Sequence, residues 1–203
     1  MASLFDVQEQ SATRAVTQPK VAEDEQHSRL RVATEHDVPT ILRISSSATK
    51  KFSSIRELAD LAEDEETPYK IRQWLGLGRI YLAEEAGEGI GIIAAYPMDD
   101  ALYIAEVSVS SNHQRKGIGG MLLEAVFAWA MANSNNDTIA SRVSLTTYAD
   151  VKWSGPWYRK YGFEEVDPNM IGPHHAHKME IDEEERALVR PGYRWCCMLW
   201  IPN

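Results

Sequence analysis

Hydrophobic and polar residues follow two different periods along the chain, and these periods predict strands and helices in turn. Alternation and short apolar runs predict strands over residues 29–33, 79–85, 89–97, 101–110 and 142–147, from Phe163 onward, and over 194–201. Apolar residues at steps of three and four predict helices from Ile55 to Trp74, with an acidic face, and from Ile118 to Trp129. The irregular mixture predicts an α/β fold with a mixed sheet flanked by helices.

Helix-start and helix-stop residues mark the ends of several of these elements. Thr34 or Asp37 is expected to cap a helix, and Pro39 then falls in its first turn, where the missing N–H costs little. Pro156 is expected to start a short helix, and the polar run from Asn133 to Asp137 to end the long one.

The same pattern divides the chain into two parts. Residues 1–28 are polar without a sustained period and are expected to form an N-terminal arm, whereas residues 29–203 have the length of one ordinary domain. Before the last strand, a polar stretch with His174, His175 and His177 is expected to be a solvated loop rather than a metal site, because no further ligands stand nearby.

Charge narrows the possible partners. The 203 residues include 21 Lys and Arg against 30 Asp and Glu, a net charge of −9, which disfavours nucleic acid and anionic membranes as partners. No stretch approaches the roughly 20 apolar residues of a membrane span, and no signal peptide is visible, so a cytoplasmic protein is expected. Cys196 and Cys197 are expected to be reduced thiols on opposite faces of a strand.

A basic, glycine-rich segment joins the predicted strand over 101–110 to the long helix. It consists of Gln114, Arg115, Lys116, Gly117, Ile118, Gly119 and Gly120. Glycines let a backbone approach a ligand closely, and free N–H groups at a helix start suit an anion such as pyrophosphate. The spacing matches neither a dinucleotide-binding turn nor a P-loop. Tight turns and close helix packing are the alternative uses of these glycines.

This segment resembles the signature of the GNAT superfamily of N-acetyltransferases, Gln/Arg-x-x-Gly-x-Gly/Ala between a strand and a long helix. Gln114 to Gly119 matches it in that context. A second match lies at Tyr158 to Phe163, which fits the superfamily's Tyr-x-x-x-Gly-Phe. The resemblance extends from about Leu30 to the C-terminus and implies the GNAT fold, in which the fourth and fifth strands of a mixed sheet splay apart.

The resemblance also implies where acetyl-CoA, the co-substrate, is bound. Backbone groups of Val107, Ser108 and Val109 would meet the pantetheine arm, while the two valine side chains can still pack in the core. Residues 115–120 would hold the pyrophosphate. Ser154 stands where a subgroup of the superfamily often has an Asn that contacts CoA, so one hydrogen bond at most is expected there.

Direct attack of an amine on the thioester needs a base and an acid. Tyr158 occupies the position that is usual for the general acid in the superfamily, and packing in a helix is its alternative role. Glu106 is the first candidate for the base, because its parity along the strand is opposite to that of the valines on either side of Ser108. Asp150 is a second candidate, although it can equally cap a turn.

The sequence as a whole therefore predicts an acetyl-CoA-dependent N-acetyltransferase that uses no metal. The acidic stretches favour a small cationic or aromatic amine as acceptor, and aromatic residues are available either to line its pocket or to pack in the core, namely Tyr148, Trp153, Trp157 and Trp195. A protein or peptide acetyltransferase and a non-catalytic CoA-binding module are the alternatives. A homodimer is possible, since many members of the superfamily dimerise.

Overall fold

A computed structural model describes residues 28–132, 141–184 and 186–202, so the predicted arm up to residue 27 and the predicted helix stop at 133–137 lie outside the described residues. The strands are β1 (Arg29–Val32), β2 (Arg79–Glu85), β3 (Glu88–Met98), β4 (Ala101–Val109), β5 (Val143–Tyr148), β6 (Glu164–Val166) and β7 (Trp195–Trp200). The α-helices are α1 (Val38–Thr49), α2 (Pro68–Leu77), α3 (Ile118–Ala132), α4 (Gly155–Arg159) and α5 (Pro173–Glu184). Short 3₁₀ helices occupy Glu35–Asp37, Lys50–Ser54, Arg56–Ala62, Ser111–His113 and Pro168–Met170.

The strands form one mixed sheet in the order β1-β2-β3-β4-β5-β7-β6, which confirms the predicted fold class. β4 and β5 are parallel, and the other neighbours are antiparallel. The chain from β4 to β5 passes through α3, as a parallel pair requires a crossover connection.

Helices cover both faces of the sheet, and their apolar stripes decide which face each covers. Leu122 and Val126 of α3 pack on one face against Ile93 of β3. α1 and α2 pack on the other face, where Ile41 and Trp74 share a core with residues of β2 and β3. Strand alternation separates the two cores, since successive side chains of a strand point to opposite faces.

The prediction of one helix from Ile55 to Trp74 is wrong. The segment begins as the 3₁₀ helix Arg56–Ala62, continues without regular structure, and becomes helical again only in α2. Pro68 cannot lie inside a helix because it lacks an N–H, and here it occupies the first turn of α2. The Thr67 side chain caps that turn by accepting a hydrogen bond from the backbone N–H of Lys70 at 3.2 Å.

Other features follow the sequence more closely. Thr34 and Asp37 form a capping box on Glu35–Asp37, and Asp37 then stands at the N-cap position of α1 with proline in its first turn. Cys196 and Cys197 are free, buried thiols that belong to cores on opposite faces of β7, and burial raises the pKa of each to about 12. Across the described residues, no helix combines the length and the apolar character of a membrane span.

Candidate active site

The centre of the sheet opens where β4 and β5 separate. Their parallel pairing runs from Leu102 with Val143 to Ile104 with Leu145, and no further pairs follow, although β4 continues to Val109. On the opposite side of β4, the register against β3 shifts, so that Ala105 forms a bulge between Ile104 and the next paired residue. A bulge bends its strand. The bulge at Ala105 is therefore a physical cause for the separation of β4 from β5, which begins at the same point.

A cavity of about 690 Å³ occupies this opening. Val107, Ser108 and Val109 all line it, and the two valine side chains also pack against the core beneath α3. Ser108 and Glu106 share the other parity, and the Ser108 hydroxyl donates a hydrogen bond to the Glu106 carboxylate. The two valines therefore point to one face of β4, and Glu106 and Ser108 point to the other, as predicted.

The glycine-rich turn forms one end of the cavity. The Gln114 side chain holds the turn by donating from Nε2 to the backbone oxygen of Val109 at 3.0 Å. Arg115 and Gly117 both have positive φ, +64° and +87°, and both line the cavity. A Cβ at Gly117 would have no atom within 4 Å, so the backbone there faces open space. Lys116 is exposed outside the lining.

The other residues of the turn pack against their neighbours. Ile118 is buried in the core. A Cβ at Gly119 would lie 3.2 Å from the Trp157 ring, and one at Gly120 would collide with the Tyr161 hydroxyl. These two glycines thus allow α3 to lie close to the residues in and after α4. Both uses foreseen for the glycines, an open turn and close packing, occur at different positions.

Glu106 lies on the wall of the cavity, in an environment that shifts its acidity. Burial raises the pKa of Glu106, and the negative charge of Glu66 adds to that effect, while the Ser108 hydrogen bond, Lys70 and Lys51 oppose it. A carboxylate with a raised pKa is a better proton acceptor than an ordinary surface carboxylate.

Tyr158 reaches the same cavity from α4. Its ring packs edge-on against Trp157 and Phe163, with centroids 4.8 and 5.4 Å away. Burial, with the negative charge of Glu106, raises the pKa of Tyr158, so the phenol stays protonated at neutral pH. The structure thereby brings the protonated phenol of Tyr158, from α4, and the carboxylate of Glu106, from β4, to one cavity.

Ser154 precedes α4 and also lines the cavity. Its hydroxyl is hydrogen-bonded to the Thr147 hydroxyl of β5, and its backbone oxygen accepts from the backbone N–H groups of Trp157 and Tyr158 at 2.8 and 3.0 Å. Ser154 therefore ties the start of α4 to β5 and sets the position of Tyr158. Asp150, the second candidate base, is outside the cavity lining and accepts from the backbone N–H of Arg194 at 3.3 Å, a residue distant in sequence.

The cavity end beyond Glu106 is lined by aromatic and charged side chains. The four aromatic residues singled out from the sequence all line the cavity; Tyr148, Trp153 and Trp195 belong to one cluster at this end, and Trp157 lies beside Gly119. The charged side chains of this end are Lys51, Asp64, Glu66, Lys70, Glu106, Lys178 and Arg186. Four cations and three carboxylates line this end, and the buried Asp182 beside it pairs with two of the cations, so the charges are close to balanced.

Asp182, beside this end, is a buried hub of ion pairs that the sequence analysis did not single out. Its side chain is fully buried and accepts from Lys178 Nζ, from Arg186 Nη1 at 3.3 Å and from Trp195 Nε1 at 3.0 Å. Lys178 and Arg186 stand four residues before and after Asp182; Lys178 lies one turn earlier on the same face of α5, and Arg186 lies beyond the end of the helix at Glu184. That spacing is the signal by which the hub could have been found.

The prediction of a solvated loop around the three histidines is also wrong, because these residues belong to α5 and His175 is completely buried. His175 Nδ1 lies 2.8 Å from the Asp99 carboxylate, and Nε2 lies 2.7 Å from the Ser144 hydroxyl. Burial lowers the pKa of His175 despite the Asp99 carboxylate. No histidine of α5 lines the cavity, and the described residues contain no group of three or more potential metal ligands.

Comparison with known proteins agrees with this geometry. Residues 76–165 match the acetyltransferase (GNAT) domain family. N-acetyltransferase 8F1 of Mus musculus is 31% identical over 88 residues, which are 40% of this chain and 40% of that protein. The chain thus aligns with only about two fifths of the length of the curated relatives it matches.

Solved structures share the fold over most of the chain. The PaiA N-acetyltransferase of Thermoplasma acidophilum, solved in complex with coenzyme A, has a TM-score of 0.60 at 13% identity and covers 87% of this chain and 99% of its own. The ribosomal-protein-alanine N-acetyltransferase of Brucella melitensis has a TM-score of 0.55 at 20% identity, with 86% and 99% covered. At these identities the likeness concerns the fold.

Proposed function

We propose that the chain is an N-acetyltransferase that moves an acetyl group from acetyl-CoA to a primary amine, since residues 76–165 match the acetyltransferase (GNAT) domain family. The observation that carries the proposal is the position of Glu106 and Tyr158 on one cavity that also reaches the glycine-rich turn. The cavity volume falls within the range of roughly 300–1,000 Å³ that small-molecule sites occupy.

The residues around the turn fit acetyl-CoA. Gly117 leaves the backbone open to the cavity, and Arg115 beside it offers a positive charge to the pyrophosphate. The part of β4 from Val107 to Val109 is paired with β3 but not with β5, and its free edge would bind the pantetheine arm through backbone groups. Ser154 would offer its hydroxyl, shared with Thr147, in place of an Asn amide. When bound, acetyl-CoA supplies a thioester that an amine can attack.

The side chains supply the proton transfers. Glu106 accepts a proton from the acceptor amine, directly or through water, because only a neutral amine has the lone pair that attacks. Tyr158 donates its phenolic proton toward the departing sulfur, and its raised pKa keeps that proton in place until it is needed. No covalent bond between enzyme and acetyl group is required.

For the acceptor we propose a small primary amine with an aromatic or apolar portion. Trp153, Tyr148 and Trp195 at the cavity end support it, since aromatic side chains bind such groups well. α5 and the ion pair between Arg186 and Asp64, at 3.5 Å, lie at the side where a peptide acceptor would need an open groove. A protein or peptide acetyltransferase is therefore the second candidate.

Steady-state turnover tests the proposal. The chain is incubated with acetyl-CoA and a panel of small aromatic amines, polyamines and peptides, while released CoA thiol is measured by colour reaction and products by mass spectrometry. We expect amine-dependent CoA release with the small aromatic amines. Turnover of peptides alone would favour the second candidate. Binding of acetyl-CoA without turnover of any amine would indicate a CoA-binding module and refute the proposal.

A further inference from the structure

Among the described residues, the cations at the acceptor end of the cavity are paired with carboxylates, with one exception. Lys70 Nζ lies 2.9 Å from the Glu66 carboxylate, Lys178 is paired with buried Asp182, and Arg186 contacts both Asp182 and Asp64. Lys51, in the 3₁₀ helix Lys50–Ser54, lines the same cavity but has no carboxylate within 4 Å among the described residues.

The surroundings of Lys51 make this ammonium group costly to leave without a counter-charge. Its Nζ lies 5.7 Å from the centroid of the Trp153 ring, and the side chain is half-buried. Burial lowers the pKa of Lys51, and the more distant Glu106 opposes that effect. A desolvated cation is stabilised by an anion that approaches it, so this position favours an anionic ligand group.

A second, independent observation points to the same ligand chemistry. The indole Nε1 of Trp153 is buried and has no hydrogen-bond partner among the described residues. Indole N–H is a donor only, and buried donors are normally satisfied. An ammonium group near the ring and an unsatisfied N–H on the same ring together suit a group that carries negative charge and accepts hydrogen bonds, such as a carboxylate.

Resting on the proposed acetyl transfer, we propose that Lys51 and Trp153 bind a carboxylate of the acceptor. The acceptor is then an amine that also carries a carboxylate, such as an aromatic α-amino acid. Its amine lies toward Glu106 and Tyr158, its carboxylate toward Lys51, and its apolar portion among the aromatic side chains. In this orientation, Lys51 determines the preference between amines that share a ring but differ in whether they carry a carboxylate.

Matched acceptor pairs test this role. The value of kcat/KM is measured for phenylalanine against phenethylamine and for tryptophan against tryptamine, which differ only in the carboxylate. A charged hydrogen bond supports a preference for the amino acid of about 10- to 100-fold. Lys51→Met should abolish most of that preference, chiefly through KM, Lys51→Arg should keep it, and Trp153→Phe should lower it several-fold.

Lys50→Met is the matched control, because Lys50 is the exposed neighbour of Lys51 and is not part of the lining. It should leave the preference unchanged. Equal turnover of both members of a pair, preference for the decarboxylated amine or a polyamine, or acetylation of Lys51 itself in the mass spectrum would overturn the inference.

Failure of the proposed function is distinguishable from failure of the inference. If no amine is turned over, calorimetry with CoA present compares the binding of N-acetylphenylalanine with that of N-acetylphenethylamine in the wild type and in Lys51→Met. Tighter binding of the acid, lost in Lys51→Met, supports the carboxylate site on its own. Equal binding overturns it.

Discussion

Asp182→Asn removes the charge of the buried hub while keeping its shape. When the asparagine oxygen accepts from Trp195 Nε1, its NH2 group faces Lys178 and Arg186, so these cations lose both the negative charge and their acceptor. The side chains of these two cations are 25% and 39% exposed, so solvent screens the second pair substantially.

The size of the effect follows from these contacts. A hydrogen bond to a charged group contributes about 1.5–3 kcal/mol, which applies to Lys178, whereas the screened Arg186 pair adds only about 0.5 kcal/mol. We therefore expect a loss of about 2–3.5 kcal/mol in the free energy of unfolding. For a chain of this size, that corresponds to a fall in Tm of roughly 4–14 °C.

Urea denaturation and thermal melting measure this change. Glu183→Gln is the matched control, since Glu183 is the exposed neighbour of Asp182 and makes no ion pair within the part of the chain that the structure describes. It should change stability by less than about 0.5 kcal/mol. An Asp182→Asn variant as stable as Glu183→Gln would refute the reasoning that Asp182 is a buried charge hub.

Three further outcomes follow from the site and its supports. Gly117→Val should weaken the thermal stabilisation by CoA, whereas Gly87→Val, with a similar φ of +80° and equally open space, should leave it intact. Glu106→Gln should lower kcat/KM about 100-fold or more and remove its acidic limb, which in the wild type reflects the raised pKa of Glu106. Burial tends to raise the pKa of Asp99, but hydrogen bonds from His175 and His174 outweigh burial and hold this pKa below its usual 3.8. Its contribution to stability is present above the unfolded-state pKa and is lost progressively as pH falls below about 4, so the urea midpoints of wild type and Asp99→Asn should approach each other as the pH is lowered.

The sequence predicted the parts of the fold in which apolar residues carry the period. The helix from Ile118 and the strands around it follow from that period, and so does the parity of Glu106 along β4. The glycine-rich turn was visible because its residue types are unusual between a strand and a helix.

The sequence failed where polar residues fill buried positions. α5 has few apolar residues, and two of its buried positions hold His175 and Asp182. Each of these is stabilised by partners distant in sequence, such as Ser144 and Trp195, which local periodicity cannot reveal. The bulge at Ala105 is likewise a property of pairing with β3 and has no local sign.

Turnover by Tyr158→Phe tests the central claim most directly. The substitution removes one hydroxyl and keeps the ring that packs against Trp157 and Phe163. We expect kcat to fall about 100-fold or more, while the acetyl-CoA Kd changes little, because general-acid catalysis contributes roughly 10²–10⁴-fold. Tyr69→Phe, at an exposed tyrosine, should have no effect. An unchanged kcat for Tyr158→Phe across the whole pH range would contradict the assignment of this cavity as an acetyl-transfer site that uses Tyr158 as its acid.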